Sequence, residues 1–263
     1  MSKTILDTIA DYARERTAAA KRIKPVEVIK REALDTEARS CFPFEKALRA
    51  EGISFICECK KASPSKGIIA EDFPYMKIAE EYERAGAAAI SVLTEPKWFL
   101  GKDEYLAEIS QRVKIPCLRK DFTVDEYMIY EAKVLGASAV LLICSILDEK
   151  TTAEYIRLCD SLGLSALVEA HNGEEIKRAV SAGARIIGVN NRNLADFSVD
   201  VENSGRLREQ VPKNVLFVAE SGIKTADDIE KLRRAGVDGV LIGETLMRAQ
   251  DKKKMLDSLR GEG

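Results

Sequence analysis

Lysines and glutamates appear in this chain at the points where apolar runs stop. Glu58 and Lys60 close the run that begins Phe55-Ile-Cys, Lys120 follows Cys117-Leu-Arg, Glu169 follows Leu167-Val, and Glu220 follows Val218-Ala. Asn190 and Arg192 stand in the same relation to Ile187-Gly-Val. A charge on a buried strand is costly unless it has a partner or a task. A structural ion pair explains one such pair, but not two lysines, three glutamates and an asparagine repeating the pattern. The set suits proton transfer. Crowding and burial lower a lysine's basicity, glutamate neighbours restore it, and either group can be tuned towards neutrality. One lysine would serve as general acid and the other would hold a carboxylate, while a Schiff base on either keeps an aldolase in view. His171 is the single histidine, which argues against a Ser-His-Asp triad and against metal chemistry built on several histidines.

Anion binding is a second theme. Ser221-Gly222 and Gly243-Glu244 follow the last two apolar runs and precede helical patterns. Backbone N–H groups at such a junction, with a helix start behind them, form a phosphate cradle. Ser63, in the small-residue stretch Ala62-Ser-Pro-Ser65-Lys-Gly67, adds a hydroxyl. Plain turn glycines are the alternative reading of Gly222 and Gly243.

These residues need elements that bring them together. Side chains alternate faces along a strand, so Ile56, Glu58 and Lys60 share one face and Phe55, Cys57 and Cys59 the other. Gly86, Gly136, Gly183 and Gly236 each close a helical pattern, and they recur at intervals of about fifty residues, the mark of an internal repeat. Each interval holds a second apolar run. Eight strands are expected, at 54–60, 88–94, 116–121, 139–144, 165–170, 186–191, 216–221 and 239–243. Helical patterns at 72–85, 125–135, 151–162 and 225–235 separate them, with Asp125 and Thr225 as N-caps. Alternating strands and helices in this number predict an α/β fold, a single (β/α)8 TIM barrel over residues 53–263. Residues 1–50 form an N-terminal helical extension of the same domain, 1–263. It comprises a helix at 2–20, capped by Ser2 or Thr4, and a short one at 45–50; Phe42 or Phe44 either approaches the site or simply packs. An open doubly wound sheet is the alternative, but no G-x-G-x-x-G follows any run.

Composition narrows the partners. The chain has 263 residues, 46% apolar and 32% charged, with a net charge of −2, which offers nucleic acid or an anionic membrane no basic surface. No run reaches the ~18 apolar residues of a membrane span, and Met1-Ser-Lys-Thr is not a signal peptide, so a cytoplasmic location is expected. Cys41, Cys57, Cys59, Cys117, Cys144 and Cys159 show no zinc spacing and read as free buried thiols.

Longer motifs carry a specific resemblance. Glu58-Cys-Lys-Lys-Ala-Ser-Pro-Ser-Lys-Gly67, Ile90-Ser-Val-Leu-Thr-Glu95 with Phe99 and Gly101, and Leu118-Arg-Lys-Asp-Phe122 with Asp125 and Tyr127 lie in the first half. Leu167-Val-Glu-Ala-His171, Ile187 to Leu194, Ala219-Glu-Ser-Gly-Ile223 and Gly239-Val-Leu-Ile-Gly-Glu244 with Leu246-Met-Arg248 lie in the second. Together they resemble the indole-3-glycerol phosphate synthase family of tryptophan biosynthesis. The resemblance implies closure of the indole pyrrole ring from 1-(2-carboxyphenylamino)-1-deoxyribulose 5-phosphate, with loss of carbon dioxide and water. It implies that Lys120 is the general acid on the substrate ketone, and that Lys60 holds the carboxylate or supplies the dehydration proton. Glu169 would stabilise the cationic intermediate and assist loss of the hydroxyl. Glu58 and Asn190 would orient the lysines and substrate hydroxyls, with Glu220 a further polar wall. Ser63, Ser221, Gly222, Gly243 and Glu244 would hold phosphate. Phe122, Leu141, Leu194 and Leu241 would pack the anthranilate ring, and Arg192 would neutralise charge or lock its own loop.

No cofactor and no metal is expected, and a phosphorylated small molecule is the expected partner of a monomer. Because the chain ends at Gly263 soon after its last helical pattern, no fused phosphoribosylanthranilate isomerase is expected. A sugar-phosphate isomerase, a Schiff-base aldolase and a non-catalytic phosphate-binding protein remain as alternatives. The stretch 61–70 is expected to close over substrate.

Overall fold

Parallel strands joined by helices must be covered on both faces, and closing the sheet on itself supplies the inner cover. The computed structural model describes residues 4–36, 42–192 and 198–262. Its barrel strands are β1 (Ser54–Cys59), β2 (Ala89–Leu93), β3 (Cys117–Lys120), β4 (Ala139–Ile143), β5 (Ser165–Ala170), β6 (Ile186–Asn190), β7 (Leu216–Glu220) and β8 (Gly239–Ile242). Neighbours pair in parallel around the ring, and β1 closes it against β8. Most of the strands stop short of the expected ends, which leaves Lys60, Asp121, Ser221 and Gly243 in the following loops. The four repeat glycines all adopt φ between 75° and 88°, the left-handed conformation that ends a helix and turns the chain into the next strand. Thr225 and Asp125 cap their helices as expected.

The alternation expected for β1 holds around the barrel. Phe55, Cys57 and Cys59 belong to the outer core beneath the helices, whereas Ile56 belongs to the inner one. The strand registers arrange inward residues in layers of four, drawn alternately from even and odd strands. From the bottom these are Ala89, Ala139, Ile186 and Gly239, then Ile56, Leu118, Leu167 and Val218, then Ser91, Leu141, Gly188 and Leu241. The next layer, from odd strands, is Glu58, Lys120, Glu169 and Glu220.

The N-terminal extension has one helix more than the sequence pattern showed: α1 (Ile5–Ile23), α2 (Val26–Asp35) and α3 (Pro43–Leu48). Thr4 caps α1 in a reciprocal capping box with Asp7. The narrow apolar stripe of α2 is Ile29 and Ala33, which join the outer core. Helix α3 starts earlier than expected because Pro43 occupies the first turn, where a missing N–H costs nothing. Phe44 and Leu48 join the inner core at the bottom of the barrel, where Leu48 presses on Gly239. Phe44 is therefore a plug at the end opposite the charged layer, and Phe42 lies under the Arg185 guanidinium, 4.7 Å from the ring centroid.

Helix α1 is fastened to the other end. Arg16 reaches Asp121 at 2.7 Å and Lys21 reaches Asp125 at 2.7 Å. Tyr12 meets Trp98 edge-on, with centroids 5.5 Å apart. Asp121, expected at the mouth, does not join the inward layer: it is buried with Arg16, with Thr94 at 2.6 Å and with Arg119 at 3.9 Å. Arg16→Ala strips a buried carboxylate of its nearest cation and should cost about 1–3 kcal/mol of stability. Urea unfolding measures this, and an unchanged midpoint would show that α1 is held by apolar contacts alone.

Candidate active site

The fourth layer puts three carboxylates and an ammonium at one height inside a barrel of apolar side chains. Lys120 Nζ lies 3.2 Å from Glu169 Oε2 and 3.3 Å from Glu220 Oε2. One turn of alternation above Glu58, Lys60 donates to the Glu58 carboxylate, whose other oxygen lies 3.5 Å from the Ser91 hydroxyl. Glycines at two positions beside these charges leave room for them. A Cβ on Gly188 would collide with the Glu220 carboxylate, and one on Gly243 would collide with Glu58 and lie 2.8 Å from Lys60 Nζ. Leu141 and Leu241, expected beside a ring ligand, form the floor directly beneath the charges.

Burial sets the protonation. It favours neutral Lys120, but Glu169, Glu220 and Glu58 outweigh it and raise the lysine above its ordinary value, so it is an ammonium. Burial also opposes an ionised Glu169, yet Lys120 and His171 hold that carboxyl well below the usual range. At Glu220 burial wins: together with repulsion from Glu169 and Glu58 it overcomes Lys120 and pushes the group up to about 7. Glu220 Oε1 is buried with no hydrogen-bond partner among the described residues. The two carboxylates nearest Lys120 are thus poised as opposites, one a base and one an acid.

The rim carries the other expected residues. Asn190 accepts from the Arg192 N–H at 3.0 Å, and both line a cavity of about 480 Å³ with Ser145, His171 and Asp200. Ser221 adopts φ 66° and Gly222 φ 82°; a non-glycine in that region is strained and needs a reason. Gly243 stands at the N-cap of a short helix, Glu244–Arg248. The Glu244 carboxylate pairs with Arg248 at 3.2 Å and with Lys66 at 3.7 Å, so only its backbone N–H is left for an anion. Ser63 is buried in a two-stranded turn, Ala62–Ser63 against Gly67–Ile68, within the stretch expected as a simple loop. Phe122 packs against Phe99, with centroids 6.1 Å apart. Leu194 lies outside the described residues.

Sequence reasoning passed over three neighbours. Ser91 could have been found by alternation from Ala89 on β2. Phe99 is presented by a loop whose N–H groups at 97, 98 and 99 all bond the buried Glu95 carboxylate, which no local pattern announces. His171 stands two residues after Glu169, on the same face, and that spacing was legible.

Comparison with known proteins identifies the family. The family model described as indole-3-glycerol phosphate synthase matches residues 6–259. The chain is 56% identical to the indole-3-glycerol phosphate synthase of Ruminiclostridium cellulolyticum, over 98% of this chain and 99% of that one. It is 54% identical to that of Lachnoclostridium phytofermentans, over 97% and 98%. The chain belongs to the indole-3-glycerol phosphate synthase family. Members are carboxy-lyases of tryptophan biosynthesis. A solved 3-hexulose-6-phosphate synthase shares only the fold, with TM-score 0.66 and 15% identity over 80% of this chain and 99% of that one. Among the described residues no helix is long and apolar enough to cross a membrane.

The raised Glu220 has a consequence for stability. Between its ordinary value of 4.5 and about 7 the folded state holds a proton that the unfolded state has lost, so stability falls as pH rises through that interval. Glu220→Gln should flatten this part of the curve. Thermal melts from about pH 4.5 to pH 7 test it, and an equal slope in both proteins would place the raised group elsewhere.

Proposed function

We propose that this mouth closes the pyrrole ring of 1-(2-carboxyphenylamino)-1-deoxyribulose 5-phosphate, releasing carbon dioxide and water. The observation that carries the assignment of roles is Lys120 suspended between Glu169 and Glu220. As the aromatic carbon attacks the ketone, charge grows on the carbonyl oxygen, and Lys120 is a preorganised ammonium for it. Lys60 holds the carboxylate that departs, exchanging its Glu58 partner for the substrate. Glu169, kept ionised, stabilises the cationic ring and removes the proton that completes the indole. Glu220 carries a proton near neutrality and delivers it to the leaving hydroxyl. Glu58 and Asn190 orient Lys60 and the substrate hydroxyls.

Phosphate binds at the far rim, on backbone N–H groups of Gly222, Gly243 and Glu244 with the Ser63 and Ser221 hydroxyls. A fixed phosphate makes the folded-back geometry of ring closure cheap in entropy. Phe122 and Leu194 flank the anthranilate ring above the Leu141 and Leu241 floor, and Arg192 adds positive charge beside Asn190. The low net charge supports a cytoplasmic enzyme that meets a phosphorylated small molecule and neither nucleic acid nor membrane, and we infer a monomer. A Schiff-base aldolase is disfavoured at Lys120, because an ammonium is not a nucleophile.

Lys120→Met should lower turnover at least a hundredfold, on the order expected for loss of a positioned acid, with the fold intact by circular dichroism. Indole fluorescence follows the product, and near-normal turnover would remove Lys120 from the chemistry. Lys60→Met should raise the Michaelis constant as well as lower turnover. An unchanged constant would restrict Lys60 to proton transfer. Both assays run in EDTA, where the wild type should keep its rate; a loss restored by a divalent ion would bring a metal into the reaction.

A further inference from the structure

One ionisable group touches the acid–base layer and has no task in the scheme above. His171 Nε2 lies 3.3 Å from Glu169 Oε1, while its Nδ1 lies 3.1 Å from Glu175 Oε2 and 3.2 Å from the Ser145 hydroxyl. The His171 backbone N–H also donates to Glu175 Oε2 at 2.8 Å, so the ring is clamped from its own main chain. A neutral imidazole has one N–H and would turn a lone pair towards one of the two carboxylates, whereas the imidazolium turns an N–H towards each; the Glu169 contact is an ion pair without hydrogen-bond geometry. Burial opposes that charge, but Glu169 and Glu175 overcome it and raise the ring to about 10. Arg192 and Asp200 are the other charged residues lining the cavity His171 faces.

The proton balance of ring closure gives this cation a use. Ring closure and dehydration place one proton on the ketone oxygen and one on the departing hydroxyl, and remove one from the carbon beside nitrogen. Release of an ionised carboxylate as carbon dioxide leaves a net uptake of one proton. The site must therefore present a base and an acid together. Lys120 lies at nearly equal distances from Glu169 and Glu220, with its hydrogen bond directed to Glu169. The second oxygens differ further: that of Glu169 has the His171 ring 3.3 Å away in an ion-pair contact, and that of Glu220 has no hydrogen-bond partner among the described residues.

We propose that His171 is a positioning residue that breaks this symmetry, a fixed cation that keeps Glu169 ionised as the base and leaves Glu220 as the acid. The proposal rests on the ring-closure reading of the mouth. Glu175 and Ser145 hold the imidazolium in place.

The chain's single histidine makes the test direct. In untagged protein the His171 ring proton resonances need no assignment. They should show an imidazolium throughout about pH 6 to pH 8.5, where an ordinary histidine loses its charge. In Glu175→Gln, which trims only the outer partner, the titration should fall by about one unit or more. In His171→Asn the acid limb of the kcat profile should move up by about one unit or more, because Glu169 loses a neighbouring positive charge, with KM little changed. A ring that titrates near ~6.5 overturns the proposal, and so does an acid limb that superimposes on the wild type. If His171→Asn does not fold, the Glu175→Gln resonance and profile decide alone. A wild type that forms no indole would instead overturn the ring-closure reading, and the resonance would still decide whether the cation exists.

Discussion

The Lys120 ammonium between two carboxylates is the constraint on which the molecule depends. Its partners come from strands 49 and 100 residues further on, and no local segment can assemble them. The barrel's stagger does so, because it brings residues of alternate strands to one height. Removing one member of such a buried set costs about 3–5 kcal/mol, since it strands the others without compensation. Burial of the leucines, isoleucines and valines in the layers below favours closure, and closure then brings the charges together. Gly188 and Gly243 follow from the same constraint: carboxylates need room, and those positions provide it.

Strand β3 shows how one segment serves two ends. Lys120 points inward to the acid–base layer, while Arg119 beside it points outward and is fully buried against Asp103 and Glu131, at 2.7 Å each. Asp121 continues the outward side and receives Arg16 from α1. The N-terminal extension is thereby tied to the residue next to the central lysine. The plug formed by Phe44 and Leu48 closes the bottom, so solvent and substrate meet the charged layer from above.

Much of this was legible in the sequence because period and punctuation agreed. Alternation placed Glu58 and Lys60 on one face and the cysteines on the other, and the left-handed glycines marked every second unit of the barrel. The strand order and the convergence of Lys120, Glu169 and Glu220 followed from closure. The failures share a cause, which is tertiary partnership. Asp121 follows Lys120 in the chain, yet its partner is Arg16, 105 residues earlier. Helix α2 had too thin a stripe to announce itself, yet Ile29 is buried against the barrel's outer core. Phe44 was visible as an aromatic but not as a plug, because nothing local tells which end of a barrel a preceding helix will close. His171 was counted for the chemistry it excluded, and its proximity to Glu169 went unused.

The charge balance also explains why the layer has an odd carboxylate. Glu58, Glu169 and Glu220 face Lys60, Lys120 and the His171 ring, and Glu220, raised to about 7, is the carboxyl that these cations hold ionised least. A substrate that brings its own carboxylate to Lys60 upsets this balance by drawing the lysine from Glu58. The Ser91 hydroxyl and the field of Lys120 are then what remain for Glu58. Excess negative charge at that moment favours protonated Glu220, the group already closest to holding a proton at neutrality. In the proposed ring-closure scheme, binding the carboxylate would load the acid needed two steps later. Decarboxylation would remove the same charge and make that proton easier to release, so the proposed order of events follows from the electrostatics of one layer.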